Sequence, residues 1–296
     1  MKLGKRFTGV ICPILTPFDE FGKIDIKALQ RLVEFLIEHG IESIMPGGTT
    51  GEGMLLSIDE RKLIAETVVN QVRNRIDVIV HTGCITTADT LELTKHAQTI
   101  GAVGASVITP YFFTYDDEAL FQYYITVAKA TSDFPIALYC FPGNAKQRIS
   151  LSLFSRLRNE VDNIVAIKLS DPNLILFQEY VQAGGEDFRT LCGVDALALS
   201  ALSVGSVGQV SGNSNVFPEV FCNLYKAFAA GNMSEAKRQQ VLINRIRKVF
   251  KDDLTYFKAA MKLRGVPVGD PRLPLRKLNF KELEEMKEGI DQLGLL

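Results

Sequence analysis

Short apolar segments alternate with longer segments of helical period from Thr8 to about Ala230. Eight of the short segments are rich in Val and Ile and are not interrupted by regularly spaced polar residues, which is typical of strands buried on both faces of a parallel sheet. The predicted strands are Gly9–Ile14, Ser43–Pro46, Val78–Thr82, Ala105–Thr109, Ile136–Tyr139, Ile164–Lys168, Phe188–Leu191 and Gly208–Ser211.

Helical patterns lie between these strands, and several are opened by a residue that favours the N-cap, namely Ser57, Asp116 or Ser150. The predicted helices include Lys27–His39, Asp59–Arg73, Ala88–Ile100, Asp116–Thr131 and Leu151–Arg158. Eight strand–helix repeats indicate an α/β fold, a closed (β/α)8 TIM barrel. An open doubly wound sheet is disfavoured because no G-x-G-x-x-G loop follows the first strand.

The strand pattern fades after about Gly231, and three helical patterns follow: Met233–Val249, Asp253–Arg264 and Phe280–Leu293. Their apolar stripes need a surface to cover. We therefore predict a catalytic barrel domain at residues 1–230 and a C-terminal helical region at 231–296, packed on the barrel or on a neighbouring subunit.

Charge and composition exclude several classes of partner. The 33 Lys and Arg residues balance the 34 Asp and Glu residues, so the formal net charge is −1. Nucleic acids and anionic membranes are bound mainly by clustered positive charge, so neither is an expected partner. The apolar runs are strand-sized and no secretory signal is recognisable, so a cytoplasmic location is expected. The five separated cysteines predict reduced, mostly buried thiols.

Reactive groups of such barrels lie where strands end and βα loops begin. Lys168 ends the apolar run Ile164–Lys168, where loss of water favours the neutral amine that attacks a ketone. The alternative is a structural lysine that pairs with Asp171. Tyr139 ends the preceding strand and is therefore expected beside Lys168 as a proton shuttle, the alternative being an ordinary core tyrosine.

The loop after the second predicted strand carries Gly48, Thr49 and Thr50 among four glycines. Converging backbone N–H groups and two hydroxyls form a nest suited to a small carboxylate. A plain strand-to-helix turn is the alternative, but it needs fewer glycines.

Metal and serine-hydrolase chemistry are disfavoured. The histidines His39, His81 and His96 lack an i, i+4 pairing, and no G-x-S-x-G elbow occurs. No metal site is predicted.

Taken in order, several motifs resemble the dihydrodipicolinate synthase/N-acetylneuraminate lyase family of imine-forming lyases. The motifs are Gly9–Pro13 with Thr16-Pro17-Phe18, Gly48–Glu52 (GTTGE), Thr109-Pro110-Tyr111, Tyr139 with Pro142, Ile167-Lys168, Gly193-Val194-Asp195 and Arg272-Leu273-Pro274.

The resemblance implies that Lys168 forms an imine with pyruvate or another 2-keto acid and that Tyr139 is the general acid/base. It also implies that Thr49 and Thr50 hold the substrate carboxylate and relay protons, with Thr50 counted as catalytic. By the same resemblance, Gly48, Gly193 and Val210 contact the substrate, no cofactor or metal is needed, and the protein is a homo-oligomer, a tetramer or a dimer.

Two residues depart from the pattern of the synthases. Asn144 stands where these enzymes carry an arginine that binds the carboxylate of the aldehyde, so a cation is replaced by a neutral amide. Phe112, after Tyr111, stands where they carry a tyrosine of an interface proton relay, and a phenyl ring transfers no proton. The sialic-acid lyases differ as well, since they usually carry an acidic residue where Ala196 follows Asp195.

The leading hypothesis is therefore a class I, pyruvate-dependent aldolase, a carbon–carbon lyase, that acts on a 2-keto-3-deoxy sugar acid or a related 2-keto acid. One alternative is a 4-hydroxy-tetrahydrodipicolinate synthase that condenses pyruvate with aspartate semialdehyde. A second is a keto-acid-binding protein with impaired catalysis.

Overall fold

The computed structural model describes residues 6–295 and confirms the predicted barrel. In that range eight strands follow one another in chain order around a closed barrel. The strands are β1 (Gly9–Cys12), β2 (Ser43–Ile44), β3 (Asp77–His81), β4 (Gly104–Ile108), β5 (Ile136–Cys140), β6 (Ile164–Leu169), β7 (Arg189–Cys192) and β8 (Gly208–Val210). Almost every strand residue is buried, as expected for a parallel sheet covered on both faces.

The described chain also contains twelve α-helices and 3₁₀ turns at Gly53–Leu55, Asp195–Leu197 and Asn213–Asn215. The helices are α1 (Ile26–Glu38), α2 (Ile58–Val72), α3 (Thr87–Thr99), α4 (Asp117–Ala130), α5 (Pro142–Ala145), α6 (Leu151–Glu160), α7 (Leu174–Gly184), α8 (Ala198–Ser203), α9 (Pro218–Ala229), α10 (Met233–Phe250), α11 (Leu254–Leu263) and α12 (Phe280–Asp291).

The predicted helix starts are confirmed by the capping contacts. The side chains of Ser57, Asp116 and Ser150 each accept a hydrogen bond from a backbone N–H in the first turn of their helix. At α2 the Glu60 carboxylate also accepts from the Ser57 N–H, which completes a capping box. These short polar residues therefore set where the helices begin.

Strand ends differ from the predictions by one or two residues at several places. β1 ends at Cys12 instead of Ile14, because Pro13 has no N–H with which to continue a ladder. β2 ends at Ile44 instead of Pro46, and β7 covers Arg189–Cys192 instead of Phe188–Leu191. The short helix α5, which begins at Pro142, was not predicted.

The chain groups into two compact units. One contains residues 77–210 with the described part of 1–9, and the other contains residues 10–76 with the described part of 211–296. In the second unit α10 packs on α9 and α12, and the rings of Phe217 and Phe250 stack with their centroids 5.9 Å apart. The three helices predicted after residue 231 are confirmed as α10, α11 and α12. The division into domains at 230/231 stays a prediction.

The described residues contain no helix that is both long and apolar enough to cross a bilayer. The five cysteines are buried thiols, and no disulfide joins them within residues 6–295. The prediction that these thiols are mostly buried is confirmed; their reduced state stays a prediction.

Candidate active site

Lys168 and Tyr139 lie side by side at the carboxyl ends of adjacent strands. β5 and β6 pair in parallel, and their register sets Tyr139 opposite Lys168. The Lys168 Nζ lies 3.9 Å from the centroid of the Tyr139 ring, and the two residues are 7% and 2% exposed. The carboxylate of Asp171, the alternative partner of this lysine, instead pairs with Arg148. An amine and a phenol are thus held together in a site largely closed to water.

Two further rings fix the position of Tyr139. Its ring meets the His81 ring edge-on at 5.9 Å and stacks on Phe141 at 6.0 Å between centroids. His81 itself is 1% exposed on β3. Packing of this kind restricts the rotamers of the phenol and so defines where its hydroxyl points.

Gly193, directly after β7, provides room for the Lys168 side chain. A Cβ at this position would overlap the Ser170 hydroxyl and lie 2.9 Å from Lys168 Cε. The Gly193 N–H donates to the Leu169 carbonyl at 2.8 Å, so the backbone here is tied to the end of β6. Any side chain at residue 193 would therefore displace the lysine or the serine.

Val210 and Asp195 occupy the neighbouring strand ends. Val210 closes β8 and is buried. The buried Asp195 accepts a hydrogen bond of 2.8 Å from Gln209 Nε2, which links the segment after β7 to β8. The sequence placed Asp195 in a motif but gave no indication of Gln209 as its partner.

Tyr111 and Phe112 differ in their surroundings. Tyr111 packs against the buried cluster of Ile108, Tyr139 and Ala145. Phe112 has a positive φ of 82°, is 80% exposed and meets the Phe113 ring edge-on at 5.0 Å. The structure thus packs Tyr111 against the cluster that contains Tyr139 and leaves Phe112 at the surface.

Asn144 is exposed on α5, and the two nearby cations make other contacts. Lys146 Nζ donates to the Gly143 carbonyl at 3.0 Å, and Arg148 pairs with Asp171. Neither cation stands in directly for an arginine at position 144.

Gly48, Thr49 and Thr50 lie in a tight loop after β2, and Thr49 and Thr50 are half-buried. The Gly53 N–H donates to the Gly48 carbonyl at 3.0 Å, and the Glu52 N–H to the Thr49 carbonyl at 3.1 Å. A Cβ at Gly53 would overlap the carbonyl group of Gly47. Part of the glycine pattern therefore serves the folding of the loop itself. Gly48 is buried, but a Cβ there would make only ordinary contacts, 3.8 Å to Met45 Cε and 4.0 Å to Pro13 Cβ, so packing does not require glycine at this position.

Glu52 ends the threonine loop with a buried ion pair that was not predicted. Its carboxylate lies 2.5 Å from Lys258 Nζ on α11, and both side chains are at most 1% exposed. The same carboxylate accepts from the Arg272 N–H at 2.8 Å. Burial lowers the pKa of Lys258 from its ordinary value of 10.5, and the Glu52 charge opposes that shift.

No group of three or more His, Cys, Asp or Glu side chains in residues 6–295 is arranged to hold a metal ion. The chemistry that Lys168 and Tyr139 support is that of an amine beside a phenol. Such groups suit covalent catalysis on a carbonyl compound.

Comparison with known proteins points to one family. The family model described as the dihydrodipicolinate synthetase family matches residues 6–293. A 4-hydroxy-tetrahydrodipicolinate synthase of Thermus thermophilus is 34% identical over 98% of this chain and 97% of its own length. Another, from Citrifermentans bemidjiense, is 37% identical over 95% of this chain and 96% of its own length.

Solved structures agree in fold. The dihydrodipicolinate synthase of Aquifex aeolicus matches with a TM-score of 0.93 and 32% identity, over 97% of this chain and 98% of that one. A prophage protein of the dihydrodipicolinic acid synthase family from E. coli, solved in complex with pyruvate, matches with a TM-score of 0.94 and 30% identity, over 98% and 100%.

Proposed function

Because the chain belongs to the dihydrodipicolinate synthetase family of pyruvate-dependent class I aldolase-type enzymes, we propose that Lys168 is the residue that forms the imine with pyruvate. The observation that carries this proposal is the position of the Lys168 Nζ, 3.9 Å from the centroid of the Tyr139 ring at the ends of paired strands. A buried amine beside a phenol has both the nucleophile and the proton donor that imine formation requires.

The proposed reaction begins when the neutral Lys168 amine attacks the keto carbon and forms a C–N bond. The keto oxygen accepts protons and leaves as water, with the Tyr139 hydroxyl as the acid/base. The resulting protonated imine accepts the electron pair of a C–C or C–H bond at the neighbouring carbon, which leaves an enamine. In cleavage, a base removes the proton of the hydroxyl two carbons from the imine carbon, and that fragment leaves as an aldehyde. In condensation, a base removes a methyl proton of the bound pyruvate. Reprotonation of the enamine and hydrolysis of the imine release pyruvate, whereas attack of the enamine on an aldehyde forms a C–C bond.

Thr49 and Thr50 are proposed to bind the substrate carboxylate and relay protons, with contacts from Gly48, Gly193 and Val210. These roles follow from the match of the loop to the GTTGE motif of the family and of Gly193 and Val210 to its strand ends.

As the substrate for cleavage we propose a 2-keto-3-deoxy sugar acid or a related 2-keto acid, which forms the imine with Lys168 itself and is cleaved to pyruvate and an aldehyde. Asn144 is an exposed neutral amide, and Phe112 is an exposed ring without a hydroxyl. This pair suits a less charged substrate pocket than that of the synthases, since no guanidinium is available at position 144 for a bidentate contact with a carboxylate of the aldehyde.

A second candidate function is 4-hydroxy-tetrahydrodipicolinate synthesis, which the names of the similar curated proteins favour. Parallel assays with a panel of 2-keto-3-deoxy acids and with pyruvate plus aspartate semialdehyde separate the two. Faster turnover with aspartate semialdehyde would refute the proposed sugar-acid substrate. A pyruvate adduct without turnover on any substrate would identify a keto-acid-binding protein instead.

Trapping with borohydride tests the imine directly. Incubation with pyruvate and borohydride should add one reduced pyruvyl group at Lys168, read by mass spectrometry of the protein and its peptides. Lys168→Ala should take up none, whereas Lys146→Ala, at an exposed lysine, should react like the wild type. An unmodified wild-type protein, or an adduct on another lysine, would refute the assignment.

We further propose that the protein is a homo-oligomer, a tetramer or a dimer, in which Phe112 and Phe113 are covered. These adjacent rings are 80% and 60% exposed, and exposed apolar patches often mark association surfaces. Light scattering should give a multiple of the chain mass, and Phe112→Ser should lower it. A monomeric wild type would refute this. The cytoplasmic location stays a prediction.

A further inference from the structure

Glu52 is fixed to the threonine loop through its own backbone. It adopts a left-handed conformation with φ 57°, which is uncommon for a residue with a side chain, and its N–H donates to the Thr49 carbonyl at 3.1 Å. Whatever determines the orientation of Glu52 therefore acts directly on the peptide that joins Thr49 to Thr50.

The Glu52 side chain is held by α11 and by the segment after it. Lys258 Nζ lies 2.5 Å from the carboxylate, donates to the Asp270 carbonyl at 3.2 Å and lies 4.2 Å from the centroid of the Phe18 ring. The Arg272 N–H donates to the second carboxylate oxygen at 2.8 Å. Both charges are buried, the carboxylate with two partners and the ammonium with three, so the geometry of the pair is narrowly defined.

Stability alone does not account for such a pair. Moving two charges out of water costs about as much as their attraction returns, and apolar replacements of buried pairs are often neutral or stabilising. Burial lowers the pKa of Lys258, which shows that removing the ammonium from water is unfavourable. The pair is therefore better explained by what it orients.

α11 also reaches the loop through the residue next to Lys258. A Cβ at Gly212 would lie 2.8 Å from Phe257 Cε2 and 3.0 Å from Thr50 Oγ1, so Gly212 is packed against both side chains. Two successive residues of α11 thus support the loop, one through Glu52 and one through Gly212.

We propose that Glu52 and Lys258 are positioning residues that orient Thr49 and Thr50 and thereby set the affinity for the carboxylate of the 2-keto acid. Neither residue is assigned a contact with substrate. This inference rests on the proposed role of the two threonines, and it predicts that the pair affects the KM for pyruvate much more than the KM for the aldehyde.

The experiment uses Glu52→Gln, Lys258→Met and the double variant. Each single variant leaves one buried charge without its partner, so Tm should fall by several degrees. The double variant removes both charges and should regain most of the Tm. Because Gln and Met cannot reproduce the directed contact, its KM for pyruvate should stay raised about tenfold or more, with the aldehyde KM unchanged.

Glu52→Asp keeps the charge but shortens the side chain, and it should also raise the pyruvate KM if the double variant does not fold. The control is Glu34→Gln with Arg75→Met, which removes an exposed pair and should leave both KM values unchanged. Two outcomes would overturn the inference. In the double variant, the KM for pyruvate would return to the wild-type value together with the Tm. In Glu52→Asp, the KM for pyruvate would stay at the wild-type value. Absence of a pyruvate adduct in the wild type would instead overturn the proposed function.

Discussion

Replacing Gly193 with alanine tests the geometry around the proposed imine-forming lysine. The added Cβ would lie 2.9 Å from Lys168 Cε and 3.2 Å from the Leu169 carbonyl oxygen, and it would overlap the Ser170 hydroxyl. Carbon atoms in contact prefer about 3.5–4.0 Å, so Lys168 Cε has to move by about 0.6–1 Å. A displacement of about 1 Å at a reacting group costs on the order of 100-fold in rate. We therefore expect imine formation with pyruvate to slow by about 10- to 100-fold, with a loss of about 1–3 kcal/mol in stability from overpacking.

The assay is the time course of borohydride trapping, read by mass spectrometry, beside thermal unfolding of the same samples. Gly101→Ala is the control for stability. Gly101 has φ 86°. Apart from its neighbours in the chain, no described residue has a heavy atom within 4 Å of the position that an alanine Cβ would take. It should cost about 1–2 kcal/mol from backbone strain and leave the trapping rate unchanged.

The double variant Ser170→Ala with Gly193→Ala separates the two clashes. Removing the Ser170 hydroxyl relieves one of them and should restore stability, but the contact with Lys168 Cε remains, so trapping should stay slow. Wild-type trapping rates in this double variant would show that Gly193 does not define the position of the lysine.

Two further predictions follow from the same structure. Tyr139→Phe keeps the ring against the Lys168 Nζ, so the fold should persist while imine formation and turnover slow by about 10²–10⁴-fold; unchanged kinetics would show that another group transfers the proton. Burial raises the pKa of Cys12 and Cys192 to about 12 and of Cys140 and Cys222 to about 11. A thiol whose pKa is raised in the folded state stabilises the fold at pH values below its ordinary pKa of 9.0. This contribution is lost as the pH rises through 11–12. Urea midpoints should therefore fall above pH 9, and a midpoint that stays constant would contradict this account.

The fold could be predicted because parallel barrel strands are buried on both faces and so leave uninterrupted apolar runs in the sequence. The helix starts were equally accessible, since Ser57, Asp116 and Ser150 cap by local contacts. The predicted bounds are wrong where the conformational preference of single residues opposes the apolar pattern. Pro13 ends β1 earlier than its apolar run, and the short α5 has no periodicity that could reveal it.

The pairing of Lys168 with Tyr139 could also be predicted, because the ends of consecutive parallel strands are neighbours in a barrel. The steric role of Gly193 could not. Its φ lies outside the left-handed region, so nothing local requires glycine, and only the positions of Ser170 and Lys168 in space show why a side chain is excluded.

Lys258 illustrates why the residues that support the threonine loop could not be predicted from the sequence. It lies on α11, where a lysine in an amphipathic helix is ordinarily read as a solvent-exposed position. Its partner Glu52 belongs to a loop far away in the chain, and no spacing rule connects them. This ion pair also bears on the predicted domain organisation. If the pair orients Thr49 and Thr50 as proposed, α11, predicted only as part of a C-terminal helical region, supports the proposed substrate-binding loop through Lys258.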